Sequence, residues 1–191
     1  MGTQISEARL RLLTTATGLF YAEGIHAVGV DRVIAEAQVT RATLYRHFPS
    51  KDDLTVAYLT TVDEAVRARV ETARSTGSTP DDVIRAVAES ITDDISSKGF
   101  RGCAFLNAAA EYPDPTHPVH QAVRRHRDWF LTTMTELFTA TGKPDPEPAA
   151  QHFVMLRDGA MTAGCLSDPE PICETFERGV DGLLKYRSRE A

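Results

Sequence analysis

Apolar residues recur at steps of three and four along most of the chain. Leu59, Val62, Val66, Val70 and Ala73 share one face over residues 56–73; Ile84, Val87, Ile91 and Ile95 share one over 80–97. Val119, Val123, His126, Phe130, Met134 and Leu137 do so over 116–141, and Ile172, Phe176, Val180 and Leu183 over 170–187. Each spacing predicts an amphipathic helix with one buried face. Breaks fall between the stripes, at Thr76-Gly77-Ser78-Thr79-Pro80, at Pro113–Pro118, at Gly142-Lys143-Pro144 and at Ser167-Asp168-Pro169. They leave room for a short helix at 102–112 and a longer one at 148–165. No sustained period-two alternation marks a strand, so the pattern predicts an all-α chain of about nine helices.

The first 55 residues are patterned differently. One helix is expected from Ile5 to about Glu23, with Leu10, Leu13, Thr17 and Phe20/Tyr21 on one side and Gly24 as its stop. A short helix over Val30–Ala37, a tight Gln38-Val39 connection and a second short helix over Thr40–Phe48 make a helix-turn-helix. Thr40 is placed to cap the second helix with its hydroxyl. That helix presents Arg41, Thr43, Tyr45, Arg46 and His47 within two turns and carries no acid, while Leu44 and Phe48, four apart, face inward. Ser50 and Asp53 form a capping pair for the next helix, which leaves Lys51 in its first turn to reach a phosphate. Long donors for base edges, hydroxyls and cations for phosphates, and apolar anchors behind them are what a recognition helix needs.

This stretch resembles the DNA-binding core of TetR-family transcriptional regulators. The Leu-Tyr-x-His-Phe-x-x-Lys-x-x-Leu run of that family stands intact as Leu44, Tyr45, His47, Phe48, Lys51 and Leu54, and the Ala16-Phe20-Gly24 frame before it also fits. The close likeness covers residues 6–55; the rest matches in kind, as helices. Two positions depart from the family pattern: Gln38 stands where the turn usually has Gly, and Gly29 where a Ser or Thr often caps. The resemblance implies a helix-turn-helix domain over 1–52 and a helical effector-binding and dimerisation domain over 53–191. It implies that Thr40, Tyr45, His47 and Lys51 hold phosphates of double-stranded operator DNA and that Arg41 and Thr43 face the major groove, with Arg46 on either side of that boundary. It also implies a homodimer joined through the last two helices, with Phe153, Leu156, Ala160, Gly164, Ile172, Phe176, Val180 and Leu183 as interface candidates. A small-molecule effector is expected among the central helices. There Phe105, Asn107, His126, Trp129, Phe130, Thr133 and Met134 either line a cavity with a few polar groups or pack as plain core. The implied function is a ligand-responsive repressor.

Composition changes this picture little. Of 191 residues 42% are hydrophobic and 25% charged, the mixture of an ordinary globular chain with a core of its own. The net charge of −6 is uneven: six Lys/Arg oppose four acids up to residue 51, and fifteen oppose 23 acids after it. A slightly basic head on an acidic body suits a reader of nucleic acid. Three cysteines without a Cys-x-x-Cys pair argue against a disulfide scaffold. No apolar run has the length of a membrane helix and the first residues lack the order of a secretion signal, so a cytoplasmic protein is expected. No Gly-x-Ser-x-Gly, His-Glu-x-x-His or phosphate-binding loop points to an enzyme, and no cofactor or metal is expected. His117 and His120 are three apart, but Pro118 between them makes helix-entry histidines the plainer reading.

Overall fold

The computed structural model describes residues 6–142 and 144–185. Among them lie nine helices and no strand: α1 (Glu7–Glu23), α2 (Val30–Ala37), α3 (Arg41–His47), α4 (Lys51–Thr76), α5 (Pro80–Ser96), α6 (Ala104–Glu111), α7 (Pro118–Ala140), α8 (Pro146–Ala163) and α9 (Pro169–Lys185). The expected helix start at Ile5, the last helix's end at residue 187 and Lys143 of the connector lie outside the described residues. No helix among the described residues is long and apolar enough to cross a membrane.

The chain parts into two compact units, residues 1–63 with 104–124, and 64–103 with 125–191. The division expected at residue 52 gives only the N-terminal helices to the first domain; here α6 and the start of α7 group with them. The reason is visible at Glu111, the last residue of α6. Its carboxylate accepts the backbone N–H groups of Ile25 (2.9 Å) and His26, in the turn between α1 and α2. Next to it the Tyr112 ring lies between the rings of His26 (4.6 Å) and His117 (4.7 Å), and His117 Nε2 reaches Asp52 at 3.2 Å. Gly24 makes the turn possible. Its φ is +96°, and a side chain there would also meet the Glu111 carboxylate.

Within the first unit, α1, α2 and α3 pack on one another around Leu12, Ala16, Phe20, Val33, Leu44 and Phe48, all buried. The buried face of α1 is therefore Leu12, Ala16, Leu19 and Phe20, not the side read from Leu10 and Leu13; Leu10 is 56% exposed. Helix α1 carries apolar residues on both sides, so periodicity alone does not choose between them.

The Gln38 turn keeps the conformation a glycine would adopt: φ 53° and ψ 50°, left-handed, with Gln38 N–H on Ala35 O and Val39 N–H on Ile34 O. An L-residue pays about 1–2 kcal/mol for this conformation, and glycine's greater freedom in the unfolded chain offsets part of any gain from removing it. Gln38→Gly should therefore stabilise the protein by about 0.5–1 kcal/mol and raise Tm by about 1–4 °C. Thermal unfolding followed by circular dichroism checks this; a lowered Tm would show that the turn is not strained.

In the second unit α5, α8 and α9 pack together, and α7 supplies the aromatic centre. The Phe153 ring of α8 meets Phe130 and Phe138 of α7 and Phe176 of α9 at 5.8–6.4 Å. Helix α5 begins with a capping box, Thr79 accepting the N–H of Asp82 and Asp82 accepting that of Thr79. Gly179 lets α9 close on Leu156 of α8, and Gly164 seats against Ile95 and Phe100. One arginine is buried here. Arg157 donates to Asp158 (2.9 Å) and to Cys103 Sγ (3.5 Å), and its guanidinium lies 5.1 Å from the Phe130 ring centre. Asp158 also pairs with Arg127 at 2.8 Å, so one carboxylate serves two guanidiniums. Cys103 and Cys173 are buried, Cys165 is exposed, and all three are free thiols.

Candidate nucleic-acid interface

Thr40 sits in extended conformation at the head of α3, and its Oγ1 accepts the N–H of Thr43 at 3.1 Å. The Thr43 hydroxyl lies 2.9 Å from the same oxygen. The cap fixes where α3 begins, and Leu44 and Phe48 fix its inner face, since both are buried against the other two helices. What remains outward is Arg41, Tyr45 and Arg46, all exposed, with Thr43 and His47 half-buried at the edges. His47 Nε2 lies 3.4 Å from the Ser6 hydroxyl, and Arg9 of α1 stacks on the Phe48 ring behind it at 5.1 Å. At the start of α4, Ser50 Oγ accepts the Asp53 N–H (3.0 Å) and donates to the Asp53 carboxylate (2.6 Å). Lys51 follows, half-buried, its ammonium 6.0 Å from the Phe20 ring centre. Burial lowers its pKa from the ordinary lysine value, while the charges of Glu111 and Asp52 pull the other way.

Two ion pairs here have no simple signal in the sequence. Arg32 is held by Glu23 and Glu36 together, and Arg41 donates to Asp31 on α2. Arg32 and Glu23 are nine residues apart and Arg41 and Asp31 ten, whereas the spacing of four between Arg32 and Glu36 is legible on a helix.

The effector candidates fall in both units. Phe105, buried, and Asn107, exposed, are on α6 in the first unit. In the second unit His126, Phe130 and Met134 are buried, with the His126 ring stacked near Phe130 and 5.7 Å from Trp129. Trp129 and Thr133 line an open groove of about 430 Å³ between α4 and α7, with Arg67, Val70, Glu71 and Arg74. The Arg67 guanidinium stacks over the Trp129 ring at 4.0 Å.

Of the interface candidates, Phe153, Ala160, Phe176 and Val180 are buried inside the single chain, and Gly164 is covered by Ile95 and Phe100. Leu156, Ile172 and Leu183 are half-buried and reach the surface. Met155, not singled out from the sequence, is 69% exposed beside them. Its only signal is that it follows the same three-and-four spacing as Gln151 and Gly159 on the opposite side of α8 from Phe153.

Among the described residues no group of three or more His, Cys, Asp or Glu side chains is placed to hold a metal. His117 faces Asp52, and His120 Nδ1 lies 2.8 Å from the Tyr112 carbonyl oxygen.

Comparison with known proteins bears on this surface. Residues 12–58 match the family model described as bacterial regulatory proteins, tetR family. A solved TetR-family transcriptional regulator from Streptomyces coelicolor is 63% identical, with a TM-score of 0.93 over 96% of this chain and 97% of its own. The HTH-type transcriptional regulator YjdC of Escherichia coli is 20% identical over 92% of both chains. The HTH-type transcriptional activator FasR of Mycolicibacterium smegmatis is 34% identical over 97 residues, half of this chain and 44% of its own.

Proposed function

Because the chain belongs to the TetR family of bacterial transcriptional regulators, we propose that it is a repressor that binds a palindromic operator as a homodimer and is released by a small-molecule effector. The observation that carries the DNA reading is α3 itself: capped by Thr40, anchored by Leu44 and Phe48, and presenting Arg41, Tyr45 and Arg46 to the outside. In this reading Arg41 and Thr43 face base edges, Arg46 stands at their border, and Thr40, Tyr45, His47 and Lys51 hold phosphates. Two such helices in a dimer read half-sites a helical turn or a multiple of it apart.

The dimer is proposed through the surface of α8 and α9 that carries Met155, Leu156, Ile172 and Leu183. The groove beside Trp129 and Thr133 supports a place for part of the effector, since it pairs a large aromatic surface with polar groups. Effector release requires that the ligand favour the state that binds DNA less well, by the same factor by which operator weakens the ligand.

Selection of DNA sequences on the full chain tests the reading. A palindromic preference should emerge, with a steep fall of affinity as salt rises. Arg41→Ala should relax one position in each half-site and cost about 1–3 kcal/mol per contact. An operator unchanged in sequence and strength in that variant would remove Arg41 from base reading.

A further inference from the structure

Asp31 lies in the first turn of α2 and Arg41 opens α3, so the two helix starts of the motif are tied by one ion pair. The Arg41 guanidinium donates from Nη2 to Asp31 Oδ1, and the side chains are 57% and 76% exposed. A pair so open to water contributes little to folding. Its consequence is where it holds the guanidinium. An arginine has five N–H donors; Asp31 takes one, and a two-point contact to guanine needs two more.

The other arginines on these helices are arranged differently. Arg32 is held by two carboxylates, Glu23 and Glu36. Arg46, in the last turn of α3, has no ion-pair partner among the described residues. Arg41 alone is steadied by a single carboxylate at the head of the helix, with most of its donors left over.

We propose that Asp31 is a positioning residue for base reading by Arg41: by holding Nη2 it fixes the plane of the guanidinium and makes the operator position beneath it selective for guanine. The proposal rests on α3 being the recognition helix. A side chain ordered before binding gives up less freedom in the complex than a loose one. The same carboxylate faces an anionic ligand, so it weakens binding to all DNA while sharpening the choice among sequences, a repulsive element that adds specificity.

The experiment compares the full-length protein with Asp31→Ala, Asp31→Asn, Arg41→Ala and the Asp31→Ala/Arg41→Ala double variant. Base preference at every operator position and affinity for non-operator DNA are measured at several salt concentrations. Asp31→Ala should lower the guanine preference about tenfold at the one position that Arg41→Ala flattens. Other positions should hold, and non-operator DNA should be bound as tightly or more tightly. Asp31→Asn keeps an acceptor and should restore part of the preference. In the Arg41→Ala background, loss of Asp31 should change that position no further. Guanine preference kept within twofold in Asp31→Ala, while Arg41→Ala abolishes it, overturns the role of Asp31 and leaves Arg41 as the reader. An Arg41→Ala protein with unchanged preferences overturns the recognition reading itself. A shift at a different, cytosine-bearing position would mean that Asp31 accepts a hydrogen bond from a base directly, and a uniform loss at all positions would mean that it only supports the fold; either result overturns the proposal.

Discussion

Phe153→Asp should leave the chain without a cooperatively folded second unit. The side chain is fully buried, and its ring touches aromatic rings from α7 and α9. Removing a buried phenylalanine costs about 3–5 kcal/mol, and a carboxylate in its place adds the cost of an unpaired charge away from water. Set against a total stability of about 5–15 kcal/mol, that is enough to abolish folding. Far-UV circular dichroism should show a large loss of helix at temperatures where the parent protein is intact. Leu183→Asp is the informative partner. Leu183 is half-exposed, so that variant should keep its helices and lose only association with a second copy, read by sedimentation. A Phe153→Asp protein with the parent's Tm would show that the four-ring centre is not the core of this unit.

Leu44→Ala should abolish DNA binding without touching a single DNA-facing atom. Leu44 is fully buried and is the main apolar anchor of a helix only seven residues long. Such a helix has no independent stability, so its place depends on packing. Truncation should cost about 2–5 kcal/mol, concentrated in the three-helix motif. Operator affinity should fall by at least a hundredfold, and hydrogen exchange should quicken in α2 and α3 while the amides of α5, α8 and α9 stay protected. Retained affinity with slow exchange in α3 would mean that Phe48 and the Thr40 cap hold the helix unaided.

Much of this architecture is legible in the residues. On α7 every member of the stripe Val119, Val123, His126, Phe130, Met134 and Leu137 is buried, because six positions at steps of three and four leave one face to choose. The Thr40 cap and the Ser50–Asp53 pair are equally local, three residues from donor to acceptor. Two kinds of feature escape. A helix apolar on both sides hides which side turns inward, which is why Leu10 misleads on α1. Contacts between distant residues carry no periodic signal: nothing about Asp31 in sequence says that Arg41 will meet it, and nothing about Glu111 says that it serves the turn after α1.

That last contact sets a schedule. The Ile25 amide and its carboxylate partner are 86 residues apart. At a ribosomal pace of roughly 5–20 residues per second, about 4–17 s separate the appearance of the turn from that of Glu111. During that interval a nascent chain already holds α1, α2 and α3 but not the group that receives the turn's two N–H donors. The three-helix motif is thus made well before the group that completes its turn, and a fragment ending at residue 63 would stay in that unfinished condition.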